Sequence, residues 1–332
     1  MRQSIMTKFT DFVISEAARR YGICGSDLIL LGKNQSFVFG FSLEELHYVL
    51  RITHGSHRSK DLIQAELDWV NYLATNGVRV SRPIHSIKGA FIESFVDKGG
   101  EEFFFVAFER APGSPWTEEI SQNEEFRRLG GILGQIHCLS KAYVPEALVP
   151  KRFVWSANAY LRDFSINVPA SQELVHLNFE NLMQRVHQMP CDDQSYGLIH
   201  GDFCFGNYSV QSDGTITVFD FDESQYGWFI QDIAVNLFYG IAVPSGDEDE
   251  LAFTQRYLTY VFEGYDRENT LGRDCLTHLS TFLDLRQAIL YSSLYRNGKL
   301  DKLDEWSKEF LRRARTNMEN QLPLVDMSRL HL

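Results

Sequence analysis

The first third of the chain consists of short apolar runs separated by polar turns. Two of these runs, 29–41 and 47–53, are rich in residues that favour β-strands, and the second alternates between apolar and polar residues. The polar sequence SLEEL separates them, which predicts an antiparallel hairpin. Three successive phenylalanines, Phe103 to Phe105, are typical of a buried strand. The predicted strands cover 29–41, 47–53, 89–95 and 102–110, and the predicted helices cover 9–22 and 60–76.

Beyond residue 123 the apolar residues recur at helical spacing. The predicted helices cover 124–143, 155–164, 170–189, 231–241, 251–264, 272–297 and 301–321. Between the two parts lies APGSPW (111–116), where Pro and Gly impose a bend. We therefore expect an α+β protein of two lobes, a β-rich N-terminal lobe over 1–110 and a mainly helical C-terminal lobe over 111–332.

One stretch, 198–222, interrupts the helical pattern with a strand, a polar loop, a second strand, a turn and a third strand. Its polar residues Asp202, Asn207 and Asp220 fall at strand ends, and a hairpin would return Asp220 towards Asn207. Asp202 can orient a hydroxyl or accept its proton, and the oxygens of Asn207 and Asp220 are ligands suited to Mg²⁺. Alternation places Asp222 on the same face as Asp220, as a further ligand or part of an acidic wall.

Two residues of the predicted N-terminal lobe could form an ion pair. Arg51 points to the face of its strand opposite Leu50 and Ile52, and Glu66 lies beside the apolar stripe of the following helix. The alternative is that both side chains are solvated. The bend GKNQS, which contains Gly32 and Asn34, could offer backbone N–H groups to phosphates or be an ordinary β-turn.

The net charge of the chain and its distribution indicate which classes of binding partner are favoured. Of the 332 residues, 44% are hydrophobic and 23% charged, as in ordinary globular proteins, and the formal net charge is −12. That excess falls entirely within 111–332, which argues against nucleic acid and favours a cationic partner, with solubility as an equal alternative. The candidate acidic wall comprises Asp222, Glu223 and 247–250.

Several other features exclude classes of protein. Five scattered cysteines without a C-x-x-C pair indicate neither a disulfide framework nor a zinc site, and we take Cys204 as an apolar filler. No apolar run is long enough for a membrane span and the N-terminus lacks an apolar signal region, so we expect a cytoplasmic protein. His54 and His57 are expected to be solvated, and His137 to be structural.

Two rival chemistries receive less support. His200 and Asp202 alternate on one strand face and could bind a transition metal for hydrolysis, but no further ligands stand at suitable spacing. A Ser-His-Asp hydrolase would need a G-x-S-x-G elbow, which is absent from the sequence.

The motif HGD-x4-N over 200–207, followed by an apolar strand ending at Asp220, resembles the signature of the aminoglycoside phosphotransferase/choline kinase family. The resemblance implies a protein-kinase-like fold. It also implies that Asp202 is the catalytic base and that Asn207 and Asp220 bind Mg²⁺. The implied nucleotide-binding residues are Gly32 and Asn34 over the phosphates, Arg51 where the family usually has Lys, Glu66 as its helix partner, and Phe108 and Arg110 near adenine.

We therefore expect a Mg-ATP-dependent phosphotransferase, with GTP as the alternative nucleotide, that moves the γ-phosphoryl group to a hydroxyl of a small, amine-bearing molecule. Aminoglycosides, amino alcohols and hydroxy amino acids all qualify. One alternative is a protein Ser/Thr kinase, although only about ten residues separate Asp220 from the next predicted helix, too few for an activation segment. A second is a pseudokinase scaffold, suggested by Arg51. The sequence leaves the oligomeric state open.

Overall fold

The computed structural model describes residues 3–116, 123–242, 249–296 and 300–330. The chain divides into two compact units. Unit 1 comprises Met1–Pro112, Val144–Arg152 and Thr217–Asp222, and unit 2 comprises Gly113–Tyr143, Phe153–Ile216 and Glu223–Leu332. No helix within the described ranges is long and apolar enough to cross a membrane.

Unit 1 is built on an antiparallel sheet with strand order β1-β2-β3-β6-β4, in which β5 also pairs with β6. Its strands are β1 (Ile29–Lys33), β2 (Phe37–Leu43), β3 (Leu46–His54), β4 (Pro83–Ile84), β5 (Glu93–Val96) and β6 (Glu102–Glu109). Its helices are α1 (Gln3–Met6), α2 (Asp11–Arg20) and α3 (Lys60–Thr75).

Both faces of this sheet are buried, because alternate residues of β6 contact different helices. Phe103 and Phe105 pack with Leu50 and Ile52 of β3 against α2. Phe104 points to the other face, towards the apolar side of α3. The three successive phenylalanines therefore lie inside a strand covered on both sides, as the sequence predicts.

The structure corrects some details of the N-terminal predictions. The predicted strand over 29–41 is two strands, β1 and β2, joined by a bend at 34–36. The expectation that His54 is solvated was wrong. His54 is buried, its ring Nε2 lies 2.8 Å from Glu101 Oε2, and its Nδ1 lies 2.7 Å from Ser56 Oγ.

Unit 2 is mainly helical. Its helices are α4 (Asn123–Ala142), α5 (Ala159–Arg162), α6 (Phe164–Asn167), α7 (Glu173–His187), α8 (Phe229–Ala242), α9 (Glu250–Tyr265), α10 (Leu279–Arg296) and α11 (Glu305–Asn320). Its strands are β7 (Ser114–Pro115), β8 (Tyr196–Ile199), β9 (Tyr208–Val210) and β11 (Gln225–Trp228), whereas β10 (Ile216–Val218) runs from unit 2 into unit 1. β8 pairs with β11 and β7 pairs with β9, both antiparallel.

Helices α4 and α9 approach so closely that glycine is required where they meet. A Cβ on Gly130 would lie 1.9 Å from the carbonyl oxygen of Val261, and one on Gly264 would lie 1.8 Å from that of Arg127. The neighbouring Gly131 has room, because the nearest atom to its Cβ would be 3.9 Å away. Close backbone packing, rather than a turn, therefore explains two of these glycines.

We expect Gly130→Ala to destabilise the protein by several kcal/mol, because the new methyl group overlaps a backbone atom that can move only with α9. Gly131→Ala is the matched control, and it should be neutral or stabilising by up to about 1 kcal/mol, since alanine favours a helix interior. Thermal unfolding of the two variants tests this. Equal melting temperatures would contradict the assigned packing.

Candidate active site

Arg51 and Glu66 form a buried, two-pronged ion pair in unit 1. Arg51 Nη1 donates to Glu66 Oε1 at 2.8 Å and Nη2 donates to Oε2 at 2.7 Å. The side chain of Glu66 is 1% exposed. Burial alone would lower the pKa of Arg51, but Glu66 more than offsets this and raises it above its ordinary value. The pair proposed from sequence is therefore present, and Arg51 is a permanent cation.

Strand alternation explains why a charge is buried here. Leu50 and Ile52 occupy the face of β3 that packs on α2, so Arg51 must project towards α3, where Glu66 lies. The aromatic ring of Phe108, on β6, has its centroid 5.1 Å from the Arg51 guanidinium carbon. Within the described part of the chain, Nε of Arg51 is buried without a hydrogen-bond partner.

Asp220 follows β10 and holds an unusual backbone conformation. Its φ is 62°, in the left-handed region that costs a non-glycine residue about 1 kcal/mol or more. Backbone hydrogen bonds of Val218 with Arg79 and Ser81 hold the preceding strand in unit 1. The Asp220 side chain is 53% exposed, and Oδ1 lies 3.8 Å from Arg51 Nη1. An exposed carboxylate held in strained backbone is typical of functional sites.

Asp222 has a different environment from Asp220, contrary to the expectation that the two share a face. The left-handed turn at Asp220 ends the alternation, and Asp222 is buried. Its Oδ2 lies 2.8 Å from His57 Nε2 and 3.2 Å from Arg58 Nη2. Burial raises the pKa of Asp222, but Arg58 and His57 together lower it well below its usual value. His57 is thus not a solvated residue, and that expectation was also wrong.

Asp222 also receives backbone contacts from two arginines. Its carbonyl oxygen accepts from Arg58 Nη2 at 3.2 Å and from Arg152 Nη2 at 2.5 Å. Arg152 reaches in turn to the carbonyl oxygen of Leu62, on α3. These contacts make Asp222 an anchor for the segment that carries Asp220, so its assignment to an acidic wall or as a metal ligand was wrong.

The remaining candidates for nucleotide contact lie on or beside strands of the unit 1 sheet. Gly32 is half-buried at a bulge in β1, and Asn34 is exposed in the bend that follows. Phe108 is half-buried near Arg51. Arg110 is exposed, and its backbone N–H donates to the carbonyl of His47 at 3.0 Å. These positions leave their nucleotide-binding roles a prediction.

In unit 2, Asp202 and Asn207 lie in the loop between β8 and β9. Asn207 Nδ2 donates to the Asp202 carbonyl at 2.8 Å and to its Oδ2 at 3.1 Å, so the amide oxygen is directed away from that carboxylate. Gly201 precedes them with φ 79°, and a Cβ there would lie 2.3 Å from the carbonyl oxygen of Glu223. Only glycine fits this turn.

Helix α8 holds this loop through polar residues on one face. Asp232 is fully buried and accepts the backbone N–H groups of His200 and Gly201, each at 2.8 Å. His137 Nε2 lies 3.2 Å from the same carboxylate, which confirms a structural histidine. One turn later, Asn236 Nδ2 donates to the carbonyl of Phe203 at 3.2 Å. Residues four apart share a helix face, so both act on the loop.

Asp202 also has a partner that the sequence did not reveal. Arg286, on α10, donates to Asp202 Oδ1, and the same Nη2 lies 2.6 Å from Tyr239 Oη on α8. The exposed fraction of the side chain is 9% for Arg286 and 27% for Asp202. Burial raises the pKa of Tyr239 to about 12, although Arg286 opposes the shift, so its hydroxyl is neutral near pH 7.

The other members of the proposed acidic wall have structural partners or fall outside the described residues. Asp249 caps the start of α9 by accepting from Leu251 and Ala252. Glu250 pairs with Arg313. Residues 247 and 248 lie outside the described residues. An acidic wall therefore gives no support for a cationic acceptor.

Asn207 and Asp220, the two side chains predicted to bind Mg²⁺, each have an oxygen atom suited to a hard divalent cation. Asn207 offers a neutral amide oxygen and Asp220 an exposed carboxylate, the ligand types that Mg²⁺ prefers. Among the described residues, no three His, Cys, Asp or Glu side chains are placed to share a metal ion.

Comparison with known proteins defines the class of this protein. The model of the phosphotransferase enzyme family (APH) matches residues 27–270. Amicoumacin kinase of Bacillus subtilis (strain 168) is 32% identical over 314 residues, which span 94% of this chain and 93% of that protein. The solved structure of amicoumacin kinase hAmiN in complex with AMP-PNP, Ca²⁺ and Ami is 30% identical and has a TM-score of 0.92 over 100% of both chains.

A more distant structure shares the fold. The microcompartment-associated aminopropanol kinase is 20% identical and has a TM-score of 0.76, covering 93% of this chain and 95% of that one. The fold is therefore protein-kinase-like, with an antiparallel N-terminal sheet and a helical remainder, as the sequence predicted. The chain belongs to the phosphotransferase enzyme family, and it is a phosphotransferase with an alcohol group as acceptor.

The sequence of helix α8 contains a pattern that indicates which residues hold the loop. Helix α8 is almost wholly apolar, yet Asp232, Asn236 and Tyr239 recur at i, i+4 and i+7. Polar residues on one face of a buried helix need partners, which predicts a polar contact there. No comparable pattern marks Arg286, because it lies 84 residues from Asp202 in the sequence.

We expect Asp232→Asn to lower the free energy of unfolding by about 1–3 kcal/mol, because an amide leaves one of the two buried backbone N–H groups without an acceptor. Loss of transfer activity should accompany it. Asp284→Asn on α10 is the control and should be close to neutral, because the Asp284 carboxylate pairs with the exposed side chain of Arg185 at 3.2 Å, and ion pairs with an exposed partner contribute little to stability. Chemical denaturation measures both, and an Asp232→Asn protein as stable and active as wild type would contradict the assignment.

Proposed function

We propose that this phosphotransferase moves the γ-phosphoryl group of Mg-ATP to a hydroxyl of a small, amine-bearing molecule. The observation that carries the proposal is the Asp202–Asn207 pair, a half-buried carboxylate held beside an amide whose oxygen is directed away from it, in a loop held by buried polar groups. Family membership supplies the reaction class. In this proposal residues 1–110 bind the nucleotide, and residues 111–332 carry the catalytic loop and bind the acceptor.

Phosphoryl transfer through a loose transition state needs little covalent work from the protein. Asp202 would accept a hydrogen bond from the acceptor hydroxyl and orient its oxygen in line with the phosphorus. As the hydroxyl proton becomes acidic during transfer, the same carboxylate would take it. Asn207 and Asp220 would hold the cation, which when bound neutralises phosphate charge.

The nucleotide is proposed from both the relatives and the residues. The amicoumacin kinase hAmiN was solved with AMP-PNP and Ca²⁺, which supports ATP with a divalent cation over GTP. We assign Arg51 to the phosphates, with Glu66 holding its guanidinium, and Gly32 and Asn34 to the bend that covers them. Phe108 and Arg110 would contact adenine.

For the acceptor we propose amicoumacin as the first compound to test. Two relatives at or above 30% identity are amicoumacin kinases. Aminoglycosides, amino alcohols and hydroxy amino acids complete the panel. We further propose a cytoplasmic location, supported by five scattered cysteines that form no C-x-x-C pair, and neither nucleic acid nor membrane as partner.

The Asp202→Asn variant tests the proposed catalytic role. Its amide keeps the size of the side chain but cannot take a proton, so we expect kcat to fall by about 100-fold or more while Mg-ATP still binds. Production of ADP, and of phosphorylated acceptor by mass spectrometry, measures transfer. Undiminished transfer would overturn the role of Asp202, and wild-type protein that binds ATP but phosphorylates no acceptor would favour a scaffold.

Arg51→Lys tests whether the fork matters for the nucleotide. Lysine can donate to only one Glu66 oxygen at a time in this geometry, so we expect kcat/KM for ATP to fall about 10-fold. Arg20→Lys is the matched control, because Arg20 donates to Glu93 at 2.5 Å in another Arg–Glu pair of unit 1, which is part-buried. If both substitutions lowered kcat/KM for ATP equally, the loss in Arg51→Lys would reflect reduced stability and not a contact of Arg51 with the nucleotide.

A further inference from the structure

Asp202 has one carboxylate oxygen bound to each of two different side chains. Arg286 donates to Oδ1, and Asn207 donates to Oδ2 at 3.1 Å. Two donors at opposite ends of a carboxylate fix the plane of the group as well as its position. A rotating carboxylate would present its lone pairs in many directions, whereas this one presents them in a single set of directions.

Arg286 is itself held in place from a second helix. Its guanidinium carbon lies 5.1 Å from the centroid of the Tyr239 ring, and Nη2 bonds to the Tyr239 hydroxyl at 2.6 Å. Burial alone would lower the pKa of Arg286, but Tyr239 and Asp202 raise it above its ordinary value. Because the tyrosine is neutral, the carboxylate of Asp202 balances the buried positive charge.

This arrangement is costly for a merely structural contact. Arg286 is 8% exposed, and within the described part of the chain its Nε has no hydrogen-bond partner. Leaving a buried donor without a partner costs free energy, and the cost is larger on a charged group. The guanidinium is therefore aimed at Asp202 and Tyr239, while its Nε–H is left without a partner in the described part of the chain.

We propose that Arg286 is a positioning residue that holds the Asp202 carboxylate in the orientation needed to align the acceptor hydroxyl, with Tyr239 holding Arg286. The inference rests on the proposed role of Asp202. Arg286 touches neither nucleotide nor acceptor in this scheme and acts only through the carboxylate. It follows that Arg286 affects the rate of transfer but not the affinity for Mg-ATP.

Steady-state ADP release with a saturating acceptor tests the proposal. We expect Arg286→Gln to lower kcat by about 10- to 100-fold, the effect of a misaligned reacting group, while KM for ATP changes less than about 3-fold. Arg286→Lys should recover part of kcat, because it restores a cation beside Oδ1. Arg185→Gln is the control and should leave kcat unchanged, since exposed Arg185 also pairs with an α10 carboxylate, Asp284.

A double variant separates positioning from general damage. If Arg286 acts through Asp202, adding Arg286→Gln to Asp202→Asn should lower kcat less than about 2-fold further, because the two residues work as a unit. An additive loss would overturn the proposal, as would an unchanged kcat in Arg286→Gln or a loss that Arg286→Lys does not relieve at all. Wild-type protein without turnover on any acceptor would instead refute the proposed function.

Discussion

The loop over residues 200–207, which carries Asp202 and Asn207, depends on one buried carboxylate. Asp232 accepts the two backbone N–H groups that follow β8, and these groups have no strand partner where the chain leaves the sheet. Both hydrogen bonds are strong, because the acceptor is a carboxylate and because burial lowers the local dielectric constant. The loop can therefore hold Asp202 half-exposed while its own backbone is satisfied. Without the hydrogen bonds to Asp232, the loop would not hold Asp202 and Asn207 in fixed positions.

A second constraint operates in unit 1, where strand alternation decides which residues can be functional. The face of β3 that packs on α2 is filled by Leu50 and Ile52, so only the other face can carry a charge. Arg51 occupies that face, and α3 supplies Glu66 to balance it. The core and the nucleotide-side ion pair thus follow from one register. A one-residue slip would exchange them.

Local patterns in the sequence predicted most of the elements. Helical spacing identified α3 and α4 to within a residue or two at each end. The run of phenylalanines identified β6, and alternation along β3 led to the Arg51–Glu66 pair. The predictions failed where a single backbone angle changes direction. Asp222 was placed beside Asp220 by assuming that the strand continues, but the left-handed turn at Asp220 removes it to a buried ion pair. Alternation carries no information about such a turn.

Contacts between distant segments were beyond sequence reasoning. Arg286 meets Asp202 because α10 and the loop pack together, and no spacing rule links residues so far apart. A buried histidine such as His54 looked solvated for the same reason, since its partner Glu101 comes from a later turn. Tertiary packing assigns these partners, and only the fold reveals them.

Two buried arginines, Arg51 in unit 1 and Arg286 in unit 2, have the same pattern of hydrogen bonds. Arg51 and Arg286 each direct Nη atoms at a carboxylate, and in the described structure each leaves its Nε buried and unpaired. Asp220 adds a strained backbone. Such costs persist only where the surrounding structure enforces them, and here they coincide with the residues proposed to handle phosphate and hydroxyl. The unpaired Nε atoms and the left-handed backbone at Asp220 lower the stability of the protein, but the same arrangement fixes the orientation of the carboxylates.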